Sequence, residues 1–549
     1  MLKQRNQLAA ALALAGSTVL VSAGAAAAGT TPQGSHSAVP VVRASRAVPA
    51  GVAPRAVSAV PLRVPNPAAY AAQKAAANAA AAGLIGRHPA AARTGALAPS
   101  IVRNWAGQRD TTAAPSDSTG AIGVTRYIEL VNARAAVYNR TSNTPTASGS
   151  LLQLTGCAVS GCPDSVFDPQ VIWDPGTNRF YYAADDIVSS TQNFLAFGFS
   201  TTSTPTLSAS SWCQYFLGFG AAFPDYPKLG DTKDFMLIGH NNFSNNSNGS
   251  FTASTISWVT KPPSGTTCPA ASTFKVGASG TLKNANGTQA FTPVPGNQID
   301  TSSTGYVVAR PASIPAAGAT FLTVFKVTKS ATGTAVIPAT GASVTVSAFK
   351  VPASAPQKGT SNLLDTLDSR NTQAVLATDP AHSGVTALWT QHAVFGGAGS
   401  QERWYEINPA TRTLIQKGTV TSASAFIFDG AVSPDRLVNG ATSMFGGDMG
   451  IDVVQSSATT LPTVKMASKI GSGAVSPLTT IATSTAADTG FDCIQDSGLC
   501  RWGDYAAATP DPAAPATGAT GQVWGSSMLG AGGSASSSGW TTRNFAIKP

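Results

Sequence analysis

The chain has 549 residues, of which only 11% are charged, against about 25% in ordinary globular proteins. Its net charge of +9 is unevenly placed: residues 1–103 hold ten Lys or Arg and no acidic residue, while the remainder holds 25 basic and 26 acidic residues. A near-neutral body rich in Gly, Ser, Thr and Ala excludes a nucleic-acid-binding domain and favours short strands and turns over amphipathic helices.

Residues 1–28 read as a secretory signal peptide, with Lys3 and Arg5 ahead of an apolar run from Leu8 to Val21 and small-residue cleavage options from Ala23 to Ala28. The run is shorter than the about 20 residues a spanning helix needs, and no later stretch is long and apolar enough. The sequence therefore predicts a secreted, extracellular protein with no integral membrane span. Residues 29–100, rich in Ala, Pro and Arg, read as a linker or pro-segment, and their basicity suits loose contact with an anionic envelope. Within them, 67–84 suits a short helix, with Pro67 in the first turn and Gly83 near the end. Few large apolar side chains lie on it, so it is expected to be exposed or partly disordered, not docked.

Residues 101–549 are expected to be all-β and closed into a β-propeller. Tyr127–Val131 and Ala135–Tyr138 form a first strand pair, and Asp174-Pro175-Gly176 turns a hairpin between 171–173 and 179–182. The clearest unit puts four strands at 372–377, 385–390, 403–407 and 413–420. Trp502-Gly503, Trp524-Gly525 and Trp540 punctuate the last. Initiators near 117, 168, 226, 300, 368, 429 and 504 give seven units, with six or eight also compatible. A pair of β-sandwiches would show similar strands. Repeated four-strand grouping with no boundary linker after residue 100 favours the ring.

The segments Asp117-Ser-Thr-Gly-Ala121, Asp168-Pro-Gln-Val-Ile-Trp-Asp174, Leu229-Gly-Asp231, Gln357-Lys-Gly359 before Asp365-Thr-Leu-Asp-Ser-Arg370, Leu388-Trp-Thr-Gln-His392, Arg403-Trp-Tyr405 and Arg501-Trp-Gly-Asp-Tyr505 together resemble a group of secreted bacterial proteins with a sialidase-like (BNR-type) β-propeller core. The resemblance covers roughly residues 101–549 and implies the fold, with little chemistry attached. The Asp-box pattern Ser-x-Asp-x-Gly-x-Thr-Trp, common in sialidases, is absent, which argues against sialidase activity.

Six cysteines allow fifteen pairings, and order along the chain favours Cys157 with Cys162, Cys213 with Cys268 and Cys493 with Cys500. Zinc would need closer Cys spacing and His partners. In a propeller, polar groups that begin the innermost strands converge on one mouth of the channel. Asp117, Asp168, Asp231, Asp368 and Asp504 sit at such starts. They could act as an acid/base pair on a glycoside, hold a structural calcium ion, or simply cap turns; no other cofactor is expected.

Arg310, Arg370, Arg403 and Arg501 could grip an anionic sugar or form internal ion pairs. His392 and His240 lie in apparent strands, where His392 could act as a base or pack in the core. Asp168, Asp504 and His392 are the catalytic candidates, and Asp117, Asp231, Asp368, Arg370, Arg501 and Tyr505 the ligand-binding ones. The aromatics Trp502, Tyr505, Trp524 and Trp540 could stack on sugars or glue blades together. The expected role is a monomer that binds a glycan, envelope component or small ligand at the channel mouth, and the alternative is a glycoside hydrolase or polysaccharide lyase.

Overall fold

The computed structural model describes residues 42–44, 62–84, 96–156, 165–298, 300, 302–439, 442–513 and 521–549. The expected signal peptide and the Cys157–Cys162 pair lie outside them. Strands dominate because the chain repeats short β-branched and aromatic runs between Gly, Pro, Asn and Asp turns. Among the described residues, seven sheets of four or five strands, antiparallel except where Asn297–Gln298 joins Ala374–Asp379 in parallel, follow one another along the chain.

The first strands of these sheets are β1 (Thr119–Ile122), β2 (Ser165–Asp174), β3 (Phe223–Asp231), β4 (Ala290–Pro295), β5 (Ala374–Asp379), β6 (Phe426–Asn439) and β7 (Ala507–Pro510). Each packs against the first strand of the next sheet, and β7 packs against β1, so the succession closes into a propeller. The closing sheet takes its outermost strand from Ser100–Ala106, which pairs antiparallel with Trp540–Lys548. The initiators expected near 117, 168, 226, 429 and 504 lie within a few residues of first strands. In the fourth sheet the expectation near 300 misses β4, which begins ten residues earlier.

The apolar core lies between neighbouring sheets. Ile128 and Val137 of the first sheet meet Val171, Trp173 and Tyr182 of the second, and Trp105, Tyr127 and Trp524 close the seventh sheet on the first. Trp105 and Trp524 cross edge to face at 5.9 Å, a geometry that adds to their burial. Trp502, Trp524 and Trp540 are fully buried, so these aromatics are glue and not stacking platforms.

One irregularity recurs at the head of the inner strands. Asp168, Tyr226, Thr292 and Asp429 take positive φ (52°, 60°, 53° and 51°), each at a register shift of its sheet, and Asp117 (44°), Leu367 (60°) and Ser369 (67°) do so just before β1 and β5. Such bulges free backbone groups from the ladder. Neighbouring sheets then catch them: Asn132 Oδ1 accepts from the Asp168 N–H at 2.9 Å, Asn241 Oδ1 from Thr292 at 2.8 Å, and Glu402 Oε1 from Gly430 at 3.0 Å.

Within residues 29–100, two of the described parts join the ring. Val42–Ala44 adds a strand to the edge of the second sheet, opposite Leu217 to Tyr215. Helix α1 (Pro67–Ala82) starts where Pro67 predicts, with Asn66 Oδ1 capping the Ala69 N–H at 3.0 Å, but it docks on the ring. Its attachment is polar, through Gln73, Lys74 and Asn78, so a count of large apolar side chains could not foresee it. Disulfides join Cys213 to Cys268 and Cys493 to Cys500, two of the three expected pairs. No helix among the described residues is long and apolar enough to cross a membrane.

Candidate functional site

Bulges and loop turns at one end of the inner strands gather charged side chains on the axis. Asn132 Nδ2 donates to Asp117 Oδ2 at 2.6 Å, and Asp117 Oδ1 accepts the Asp504 N–H at 2.9 Å. Tyr505 donates its hydroxyl to Asp168 Oδ2 at 2.8 Å, and Tyr226 donates to the Asp504 carbonyl at 2.7 Å. The Asp117 and Asp168 carboxyls are neighbours, both fully buried. Burial, reinforced by Asp168, pushes Asp117 up to about 8; burial, with Asp225 and Asp504 nearby, pushes Asp168 up to about 7. Both shifts favour the protonated form over that of an ordinary carboxyl.

The arginines are internally paired. Arg501 grips both oxygens of Asp504 at 2.8 Å and reaches Asp365 at 2.5 Å. Asp368 bridges Arg310 at 2.5 Å and Arg370 Nε at 2.8 Å, and these two guanidinium groups outweigh burial to hold its carboxyl well below the usual range. Of the expected residues, Asp117, Asp168, Asp368, Arg370, Arg501, Asp504 and Tyr505 are thus brought together.

Asp231, Arg403 and His392 are placed differently. Asp231 ends β3 instead of starting it, where Lys261 Nζ bonds it at 2.6 Å and Asp174 lies alongside. Arg403 donates to the Ser347 and Ala348 carbonyls. His392 is buried against Phe349, with Nδ1 facing the Ser369 carbonyl at 3.1 Å and Nε2 facing the Tyr405 hydroxyl at 3.0 Å; burial pushes its pKa down to about 3, so it is a neutral core residue.

Lys228, which carried no expected role, lies at the centre. Its Nζ sits 3.2 Å from the Tyr505 ring centroid and 4.4 Å from that of Tyr226, fully buried and without a hydrogen-bond partner. Burial drives its pKa far down, against the pull of Asp168, Asp504 and Asp117. A lysine inside the Asp225-Tyr-Pro-Lys-Leu-Gly-Asp231 inner strand was the available sequence signal. Beneath it, strands from six sheets line an axial cavity of only about 40 Å³, room for a few waters and no sugar.

The open space is beside the axis. A cleft of about 1020 Å³ runs between α1 and the small sheet of Ala355–Pro356, Leu363–Leu364 and Leu499–Cys500. Its lining is mixed: Leu62, Tyr70, Leu363 and Leu499 give it apolar surface, and Asn78, Ser361, Asn362, Gln495, Asp496, Asp365 and Arg501 supply polar groups. For metals, the groupings of His, Cys, Asp or Glu ligand atoms within 4.8 Å among the described residues are Asp488 with the disulfide-bonded Cys493 and Cys500, and Asp379 with His382 and Glu406; neither supplies the six oxygens calcium needs.

No family model matches the chain, and no curated protein matches it. Solved structures similar to it include a Synechocystis apocarotenoid oxygenase, 12% identical over 65% of this chain and 70% of that one, with a TM-score of 0.36. They also include the Dos1 propeller, 10% identical over 82% and 95% of the two chains at 0.33, and a glycoside hydrolase, 9% identical over 59% and 86% at 0.29.

Proposed function

We propose that this is an exported, seven-bladed propeller of the sialidase-like type that, as a monomer, binds a hydroxyl-rich ligand, a glycan or envelope component, in the cleft beside α1. Each of the seven sheets counts as one blade. Disulfides and the leader pattern support an oxidising, extracellular setting. One contrast carries the binding role: the axial carboxyls are buried and the cavity among the inner strands is only about 40 Å³, while the neighbouring cleft of about 1020 Å³ is open and carries amide, hydroxyl and charged groups beside apolar ones.

The raised, neighbouring Asp117 and Asp168 carboxyls, beside Tyr505 and Lys228, favour a second reading, a hydrolase or lyase. A glycan-array screen of the mature protein, coupled to reducing-sugar release, tests both. The expected result is array binding lost in Ser361→Trp, which fills the cleft, with no sugar release. Release abolished by Asp168→Asn would overturn binding in favour of catalysis, and absence of array hits would overturn the glycan assignment.

A further inference from the structure

Two cations of residues 62–82 fill sockets that are more finely built than packing alone requires. The Arg63 guanidinium lies 4.9 Å from the Phe223 ring centroid and 5.5 Å from that of Phe243. Its Nη2 donates to the Asn246 and Ser247 carbonyls at 2.7 and 3.1 Å, and Asp225 approaches Nε at 3.8 Å. Two aromatic rings, a carboxylate and two carbonyls are the chemistry that recognises a guanidinium group. Eleven residues on, Lys74 Nζ donates to Thr366 Oγ1 at 2.7 Å and the Leu367 carbonyl at 2.9 Å, with Asp365 at 3.6 Å.

The same surface also contacts main chain and amide side chains. Arg370 Nη2 donates to the Arg63 carbonyl at 2.7 Å, Gln73 donates to the Ile314 carbonyl at 2.8 Å, and Asn78 Oδ1 accepts the Ser354 N–H at 2.8 Å. Contact with a peptide carbonyl marks the occupant as polypeptide and not a polyamine. Apolar attachment is slight: α1 buries Ala77 and Ala81 and half-buries Tyr70. Cavities of about 1020, 470 and 280 Å³ border the helix, so it is pinned by polar pegs across gaps. Segments with few buried apolar contacts open far more readily than the core.

We infer that residues 62–82 are an exchangeable occupant, held in cis, of a surface that recognises Arg- and Lys-bearing polypeptide, and that a partner segment of that chemistry takes their place. Leu62, Tyr70, Lys74 and Asn78 also form one wall of the cleft, so release of the segment would open it; peptide exchange is read by its own assay, apart from glycan binding. Release leaves Asp225 and Asp365 facing the incoming chain, which supplies the charge complementarity for a basic partner.

A fluorescent peptide of residues 62–84, titrated into the full chain, tests this. Full-length Arg63→Ala/Lys74→Ala should bind it at least about tenfold more tightly than the wild type, whose sockets are filled, and a peptide carrying the same two substitutions should lose that gain. Equal binding to both proteins, or binding indifferent to the peptide's two cations, overturns the inference. Should the double variant fail to show a cooperative thermal transition, hydrogen exchange on the wild type decides. Amides of Tyr70 to Ala81 exchanging at least about 100-fold faster than those of Phe235–Phe243 support it, and equal rates refute it.

Discussion

Asn132 ties Asp117 to Asp168, on neighbouring blades, donating to the Asp117 side chain at 2.6 Å and accepting the Asp168 N–H at 2.9 Å. Three buried polar groups thereby hold two sheets in register at the axis.

The burial of these two carboxyls predicts how stability varies with pH. Burial pushes Asp117 up to about 8 and Asp168 to about 7, far above the about 3.9 of an unfolded Asp, so the folded chain keeps protons the unfolded chain has lost, and stability falls as pH rises through that range. His240 and His392, pushed down to about 3 by burial, have the opposite sign, but their contribution is complete above about pH 6.5. The lowered Lys228, with Lys74, Lys465 and Lys469, also opposes the slope, against a larger number of raised acids. Urea midpoints should drop between about pH 6.5 and 8, by at most about 1.4 kcal/mol per pH unit for each such acid, and Asp117→Asn should flatten the drop. A profile identical in wild type and variant would refute the upward shift of Asp117.

Removing the bridging amide should be costly. Asn132→Ala strands the Asp168 N–H, the Pro115 carbonyl and an Asp117 oxygen inside the protein, a loss of about 2 to 4 kcal/mol in denaturant unfolding. A loss under about 0.5 kcal/mol would mean that water replaces it.

Lys228 should behave in the opposite way. Its amine is buried without a hydrogen bond, so Lys228→Met is expected to leave stability unchanged or raise it by about 1 kcal/mol in the same assay. A loss beyond about 2 kcal/mol would show that the amine is a structural partner of the aspartates.

Arg501→Lys removes the fork that joins Asp504 at 2.8 Å to Asp365 at 2.5 Å and leaves buried carboxylates poorly matched. Thermal unfolding should report a loss of about 3 to 5 kcal/mol, the scale of a broken buried pair.

The two disulfides should differ in weight. Cys213 and Cys268 are 55 residues apart and Cys493 and Cys500 seven apart, so the chain-entropy model gives about 4 and about 2.5 kcal/mol. Serine pairs at each site, compared by urea unfolding, should rank in that order.

The ring was legible because its signals are local. Asp174-Pro175-Gly176 and the four runs from 372 to 420 write hairpins directly into the sequence, and the gathering of Asp117, Asp168, Asp368 and Asp504 was expected from strand starts. What escaped depends on distant partners. Lys228 looks like any lysine until Tyr505, almost three hundred positions away, is seen beneath it. Asp231 sits at the wrong end of its strand because the head of β3 is Asp225, three residues before Lys228, a choice made by the bulge. α1 reads as a solvent helix because its anchors are polar and their receptors lie in Ile314, Ser354 and Thr366.

Ser100–Ala106 completes the sheet that ends with Trp540–Lys548. A ribosome delivers the first of these about 430 residues before the second, so the circle stays unlatched until Trp540–Lys548 has emerged. Loss of that strand should therefore loosen Ser100–Ala106 at the same time, leaving a protein with intact middle blades and no lock.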